Sequence, residues 1–247
     1  MFDLTGKRAL VTGAANGIGK AIVQLFVERG ARIVATDLDD AALATAFGSD
    51  EAVTTVAGDI ATDATQAAVL TTAEQSLGGL DILVNNAGIV IAGDFVSLTD
   101  DQWDHIMNVN VRAVFRLTRE AVPLLTKNPS SRVINLGSIM SELAGPTLSI
   151  YGTSKHAVAG LTKGMAVDLG PLGITVNYLQ PGSIITKLSE PFMDDPDFKK
   201  YWEDKAPIGR LGEAREVAMA ALFLASDETQ FISGLGLNVD GGAIVKF

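Results

Sequence analysis

The sequence predicts an α/β fold in which one parallel, doubly wound sheet of seven strands is flanked by helices on both faces. Three observations lead there. Short apolar runs alternate with amphipathic stretches from end to end. The first run feeds a glycine-rich turn that opens a helix. No linker, low-complexity tract or internal repeat divides the 247 residues, of which 47% are hydrophobic and 19% charged. One domain over 1–247 is expected, long enough to bury a substantial core.

In chain order, the strands are expected at 8–12 (RALVT), 32–37 (RIVATD), 52–57 (AVTTVA), 81–85 (DILVN), 132–136 (RVINL), 175–179 (TVNYL) and 236–239 (GLNV). Runs this short and this apolar suit strands buried on both faces. Helical patterns fill 17–29, 63–77, 99–125, 152–169 and 213–225. Thr99 with Gln102 forms the pattern of a capping box at the head of the long central helix. Residues 183–212 break the rhythm, with Pro191, Pro196 and Pro207 among Phe192, Met193, Phe198, Tyr201 and Trp202. This segment follows the sixth strand, at the carboxyl edge where such sheets bind ligands, and reads as a lid over a substrate. A subunit contact or a packed excursion is the alternative.

Net charge is −10, from 29 acidic and 19 basic residues. Nucleic acid and anionic membranes, which need clustered Lys and Arg, are therefore poor partners. With no cysteine in the chain, disulfides and thiolate nucleophiles are excluded. No secretory signal or span-length apolar stretch is visible, so the cytoplasm is expected. No metal is suggested: His105 and His156 are isolated and read as structural or solvated.

The first strand runs into TGAANGIGK, with Gly13, Gly17 and Gly19 spaced G-x-x-x-G-x-G. Between a strand and a helix, such a turn lets backbone approach a pyrophosphate and aims helix N–H groups at it. Asn16 and Ile18 belong to the same cradle. The second strand ends in Asp37, followed by Leu38, Asp39 and Asp40. A carboxylate there accepts hydrogen bonds from ribose hydroxyls and repels a 2′-phosphate, which favours NAD over NADP; otherwise Asp37 only caps the strand. Gly58-Asp59-Ile60 and Asn85-Asn86-Ala87-Gly88 follow the third and fourth strands. Asp59 is placed to reach an adenine amino group, and Asn85 and Asn86 either touch the cofactor or satisfy strand-end backbone.

Downstream comes SIMSELAGPTLSIYGTSK, which holds Ser138, Tyr151 and Lys155. Residues four apart share a helix face, so the Lys155 ammonium is expected near the Tyr151 phenol. Acid/base work at neutral pH needs the phenol lowered by roughly three units from about 10, or about 4 kcal/mol. A neighbouring cation acts in that direction. By itself Y-x-x-x-K also fits a solvated helix face.

With TGAANGIG, Asp59, NNAG, Asn110, Ser138, Tyr151, Lys155 and Pro181-Gly182 in this order, the chain resembles the short-chain dehydrogenase/reductase family over residues 5–242. The resemblance implies a Rossmann-type sheet and an Asn-Ser-Tyr-Lys tetrad. It makes Tyr151 the general acid/base, Ser138 the holder of the substrate oxygen, and Lys155 both a cation beside Tyr151 and a clamp on the nicotinamide ribose. Asn110 would anchor a water linking Lys155 to solvent. Thr186, with the main chain around Pro181, Gly182 and Ile184, would hold the nicotinamide. Homotetramers are usual in such families.

For the substrate, Ser138, Met140, Glu142, Tyr151, Phe192 and Trp202 are the candidate contacts of a mostly apolar pocket suited to a secondary alcohol or ketone. Glu142 either meets a second hydroxyl of a polyol or points to water. Relatives of this length that reduce 3-oxoacyl groups on carrier protein carry arginines near the end of the central helix and before the sixth strand. This chain has Thr126-Lys127-Asn128-Pro129 and Gly170-Pro171-Leu172-Gly173 there, so that activity is the alternative. A non-catalytic dinucleotide-binding scaffold is the remote one, since such members typically lose the tyrosine or the lysine.

Overall fold

A computed structural model describes residues 2–186, 189 and 196–246, with only the backbone of Phe198. Seven parallel strands form one sheet: β1 (Arg8–Thr12), β2 (Arg32–Asp37), β3 (Val53–Ala57), β4 (Ile82–Asn85), β5 (Ser131–Leu136), β6 (Ile174–Pro181) and, last in the chain, β9 (Gly236–Val239). Their spatial order is β3-β2-β1-β4-β5-β6-β9. The winding reverses between β1 and β4, which opens a crevice at their carboxyl ends. Two short strands, β7 (Ile184–Ile185) and β8 (Gly212–Glu213), pair with each other beyond β6.

Alternation along the strands fills both faces. Ala9 and Val11 of β1 join one apolar cluster with Ile22, Leu25 and Phe26, whereas Leu10 turns the other way to meet Val34, Leu83 and Leu117. Each such fully buried large side chain contributes about 1.5–3 kcal/mol. Helix α1 (Gly17–Glu28) covers the first face; α3 (Asp63–Thr72) and α5 (Ala113–Leu125) cover the second.

Local chemistry sets the helix ends. The Thr99 hydroxyl accepts from Gln102 N at 3.2 Å and Gln102 Oε1 accepts from Thr99 N at 2.9 Å, the expected capping box at α4 (Asp100–Met107). The single helix expected over 99–125 is instead α4 and α5 joined by one π-helical turn, Asn108–Arg112. A π turn widens the coil by a residue and re-aims the side chain inside it, here Asn110. A similar turn, Ala73–Leu77, finishes α3. Two short helices add to the sequence reading: α2 (Asp40–Phe47), capped by the Asp39 carboxylate on Ala42 N, and α7 (Pro196–Lys205) inside the expected lid. Pro191, Phe192 and Met193 lie outside the described residues. Helices α6 (Ser149–Leu169) and α8 (Ala214–Ala225) complete the layers. Among the described residues, no helix is long and apolar enough to cross a membrane.

The amino edge of the sheet is tied by charge. Asp81, 3% exposed, receives Arg8 Nε at 2.8 Å, Arg8 N at 2.9 Å and Asn128 Nδ2 at 2.6 Å. Burial works to raise its pKa, but these donors outweigh that and hold it below the ordinary value of 3.8. A carboxylate depressed in the fold stabilises it above its unfolded pKa and loses that contribution as pH falls through the folded one. Asp81→Asn is therefore expected to cost about 2–4 kcal/mol at pH 7, since one partner of a buried pair is removed. Chemical denaturation at pH 7 and at pH 3 checks this: the gap between variant and wild type should narrow at the lower pH.

Candidate active site

The carboxyl ends of β1 and β4 are locked to each other. Thr12 Oγ1 accepts from both Asn86 N and Ala87 N at 3.0 Å, and Asn86 Nδ2 donates to the carbonyls of Thr12 and Gly13 at 2.9 Å. Asn86 is thereby a brace of the glycine turn, and its amide protons are spent there. Asn85 is structural as well: it donates to Thr118 Oγ1 at 3.0 Å and to Asn135 Oδ1 at 2.8 Å, and Asn135 continues to Thr162 Oγ1 at 2.9 Å.

Backbone geometry in the turn demands glycine. Gly13 and Gly17 have φ of 63° and 53°, and a Cβ on Gly13 would stand 2.9 Å from Ala87 Cα. Gly19 is packed as tightly, against the Gly13 carbonyl. The following helix is left open to an anion. Asn16, at its N-cap, makes no side-chain cap bond and the first turn holds no acid, while α2, α3 and α4 are each closed by Asp39, Thr62 and Thr99. The free N–H groups of α1, beginning at Gly17 and Ile18, fit a pyrophosphate. Thr186 closes the far wall: its Cβ lies 3.2 Å from where a Cβ on Gly17 would be.

At the β2 end, Asp37 Oδ2 accepts from Ala15 N at 2.9 Å, so this carboxylate is tied to the turn. Leu38 beside it is 73% exposed, an apolar surface at the rim. Asp59 is exposed, with Oδ1 accepting from Ala61 N at 2.9 Å. Ile60 and Ile184 turn their side chains into the core, leaving their main chains for a ligand. Pro181 ends β6, and Gly182 N donates to the Val239 carbonyl at 3.1 Å.

Four side chains meet beyond β4 and β5. Lys155, buried on α6, donates from Nζ to the Leu136 carbonyl at 2.7 Å. Tyr151 lies one turn earlier, its ring centroid 5.7 Å from Lys155 Nζ. Ser138 caps the turn Ile139–Ser141, with Oγ accepting from Met140 N at 3.1 Å, and it hydrogen-bonds the Tyr151 phenol. Asn110 Oδ1 accepts from Ile89 N at 2.8 Å, and its Nδ2 donates to Ile89 O at 2.9 Å and Ser154 Oγ at 3.0 Å. Protein groups thus satisfy the Asn110 side chain. The residue is a clamp between α5, α6 and the loop after β4. Gly88 leaves the space in front of this cluster open, since a Cβ there would stand 3.3 Å from Asn110 Oδ1 and 3.5 Å from Lys155 Nζ.

Charge in the site is governed by burial. Lys155 is pushed down from 10.5 to about 8 by loss of water. Tyr151 keeps part of its surface open to the crevice, yet burial pushes its pKa up, and the Ser138 hydrogen bond only partly opposes this. The expected lowering by Lys155 is absent from the protein's own groups: the ammonium bonds to Leu136 and faces the ring. An ion pair of phenolate and ammonium needs further polar partners in the crevice to form.

Of the substrate candidates, Met140 is buried against Gly145. Glu142 is pinned, with Oε1 accepting from Gln180 Nε2 at 2.8 Å. Trp202 sits apart from the tetrad, lining a hollow of about 370 Å³ with Ile184, Arg210, Asn238 and Asp240; Phe192 lies outside the described residues. Sequence reasoning missed Thr12 and Ser154. Both are hydroxyls next to singled-out residues, Gly13 and Lys155, and that adjacency was the available signal.

The glycine cradle, the uncapped α1 and the space cleared by Gly88 fit a dinucleotide. Comparison with known proteins agrees. A family model described as enoyl-(acyl carrier protein) reductase matches residues 13–243. A 3-oxoacyl-[acyl-carrier-protein] reductase of Vibrio harveyi is 37% identical over 249 residues, covering 98% of both chains. A gluconate 5-dehydrogenase of Gluconobacter oxydans is 36% identical over 250 residues, covering 100% of this chain and 98% of the relative. The crystal structure of a 3-ketoacyl-(acyl-carrier-protein) reductase from Brucella melitensis, complexed with NADH, superposes with a TM-score of 0.92 at 35% identity, covering 98% of this chain and 100% of that one. The chain belongs to the short-chain dehydrogenase/reductase family of oxidoreductases.

Proposed function

We propose that this protein is an NAD(H)-dependent oxidoreductase, acting in the cytoplasm on a secondary alcohol or ketone of small to medium size, with Tyr151 as general acid/base. The observation that carries the reading is the meeting of Ser138, Tyr151 and Lys155 at the mouth left open by Gly88, directly beside the glycine turn. Bound nicotinamide supplies or accepts the hydride. The chain's own residues manage the oxygen and its proton: Ser138 Oγ holds the substrate oxygen, and the Tyr151 hydroxyl gives its proton to that oxygen in reduction or takes it back in oxidation. Lys155, anchored on Leu136, stands beside the phenol as the cation that favours its ionised form once the crevice is filled. The whole chain serves as one cofactor-binding and catalytic domain. Homotetramer formation accords with the exposed Trp103, Phe115 and Val167 on α4, α5 and α6.

NAD is favoured over NADP because the β2 end presents Asp37 and then Leu38, Asp39 and Asp40, with no cation to pair a 2′-phosphate. The NADH in the Brucella melitensis relative is in keeping with this. A second reading, 3-oxoacyl-[acyl-carrier-protein] reductase, is favoured by the names of the Vibrio harveyi and Brucella melitensis relatives. Against it stand the net charge of −10 and the missing arginines; Lys127, the cation near that position, is paired with Glu74 at 2.9 Å. A scaffold that binds the dinucleotide without turnover has no specific support here, because Asn110, Ser138, Tyr151 and Lys155 are all in place.

Initial rates with NADH and NADPH against alcohols, ketones, polyols and acyl β-ketones test the reading. A higher kcat/KM with NADPH, or turnover confined to acyl β-ketones, contradicts it. Tyr151→Phe should lower kcat by roughly 10²–10⁴-fold while NADH still binds, as expected for loss of a proton donor. Fluorescence titration alongside steady-state rates separates the two. Asp37→Ala should cut the NADH-over-NADPH preference by about ten-fold or more, the scale of one charged hydrogen bond and one repulsion removed.

A further inference from the structure

Next to Ser138 lies a polar cluster that proton and hydride transfer do not use. Gly137 N donates to the Leu179 carbonyl at 2.9 Å, which ties the ends of β5 and β6 together and places Gln180 beside Gly137, the residue before Ser138. Gln180 is fully buried. Its Nε2 donates to Glu142 Oε1 at 2.8 Å and to Asn238 Oδ1 at 2.6 Å, so both amide protons are committed, while Gln180 Oε1 is buried with no partner among the described residues. A buried carbonyl without a donor is unfavourable and calls for an explanation. Here the amide is held with both protons outward on neighbouring acceptors, and one of these is the carboxylate four residues after Ser138. Glu142 itself is exposed, and its Oε2 has no bond among the described residues. Its charge is felt locally: after burial, it is the cause that raises the Tyr178 phenol.

We propose that Glu142, fixed by Gln180, is a specificity-determining residue that accepts a hydrogen bond from a second hydroxyl of the substrate, one carbon from the reacting carbonyl. The preferred substrates are then vicinal diols and α-hydroxyketones of the polyol class. This rests on the alcohol/ketone reading above. An ionised carboxylate only accepts hydrogen bonds, so the position suits an O–H donor and disfavours a carboxylate or phosphate. A simple ketone leaves Glu142 without a donor, and sites built to bond a hydroxyl discriminate against analogues that lack it.

The test is reduction of 3-hydroxybutan-2-one against butan-2-one, which share a carbon skeleton, by wild type, Glu142→Ala and the near-isosteric Glu142→Gln. Wild type should favour the hydroxyketone by at least ~10-fold in kcat/KM, and the preference should fall below about 3-fold in Glu142→Ala, with Glu142→Gln between. A purely structural role for Glu142 would lower both rates together and preserve the ratio. Equal use of the two ketones by wild type, or a ratio unchanged in both variants, overturns the assignment and leaves the alcohol/ketone reading standing. No turnover of either ketone by wild type with NADH or NADPH overturns both.

Discussion

The Lys155 ammonium is buried with a single hydrogen bond among the described residues, 2.7 Å to the carbonyl of Leu136, and the arrangement of the site depends on that bond. It joins α6 to the last residue of β5, so Tyr151, one helical turn earlier, is fixed relative to Ser138, two residues after Leu136. The same helix is gripped from the other side through Ser154, which accepts from Asn110 and donates to the Tyr151 carbonyl at 2.7 Å. Asn110 in turn holds both backbone groups of Ile89. Three elements that meet nowhere else in sequence are thereby set at hydrogen-bond precision around the space that Gly88 keeps clear. Such prepositioning lets a reaction proceed without reordering its surroundings.

Burying that charge is costly. A fall from 10.5 to about 8 corresponds to about 3 kcal/mol of unfavourable burial. The folded lysine loses its proton before the unfolded one, so this burden is full below pH 8 and is relieved as pH rises through the window up to 10.5. Other contacts carry the load at the opposite end of the sheet. Arg8 and Asp81 close the amino edge, and Arg132, 2% exposed, donates to the Ser226 carbonyl there. The amino edge of the sheet is thus tied by charged hydrogen bonds, and a buried ammonium stands at the carboxyl edge beside Tyr151 and Ser138.

Much of this was legible in the sequence because it is local. Strand runs such as RIVATD and GLNV match β2 and β9 residue for residue, and Thr99 with Gln102 capped a helix as its spacing promised. The glycine spacing located the tight turn after β1, since a φ of 63° together with the close approach of Ala87 at Gly13 leaves no room for a side chain. What was not legible depends on tertiary partners. Helix α2 is short and only weakly amphipathic, and the π turn at Asn108–Arg112 answers to the clamp that Asn110 makes with Ile89. Thr12 and Ser154 are ordinary hydroxyls until the strand ends and α6 come together. The Tyr151 pKa depends on how much water the fold removes, which spacing along a helix does not reveal, so its direction ran opposite to the expectation.

Direct titration of Lys155 tests the account most closely. In the ligand-free protein, NMR of the Lys155 Cε and Nζ resonances, assigned by comparison with Lys155→Met, should show a midpoint near pH 8. A midpoint at the ordinary value of 10.5 would mean that water reaches the ammonium. The buried anchor on which this arrangement of Ser138, Tyr151 and Asn110 rests would then be wrong.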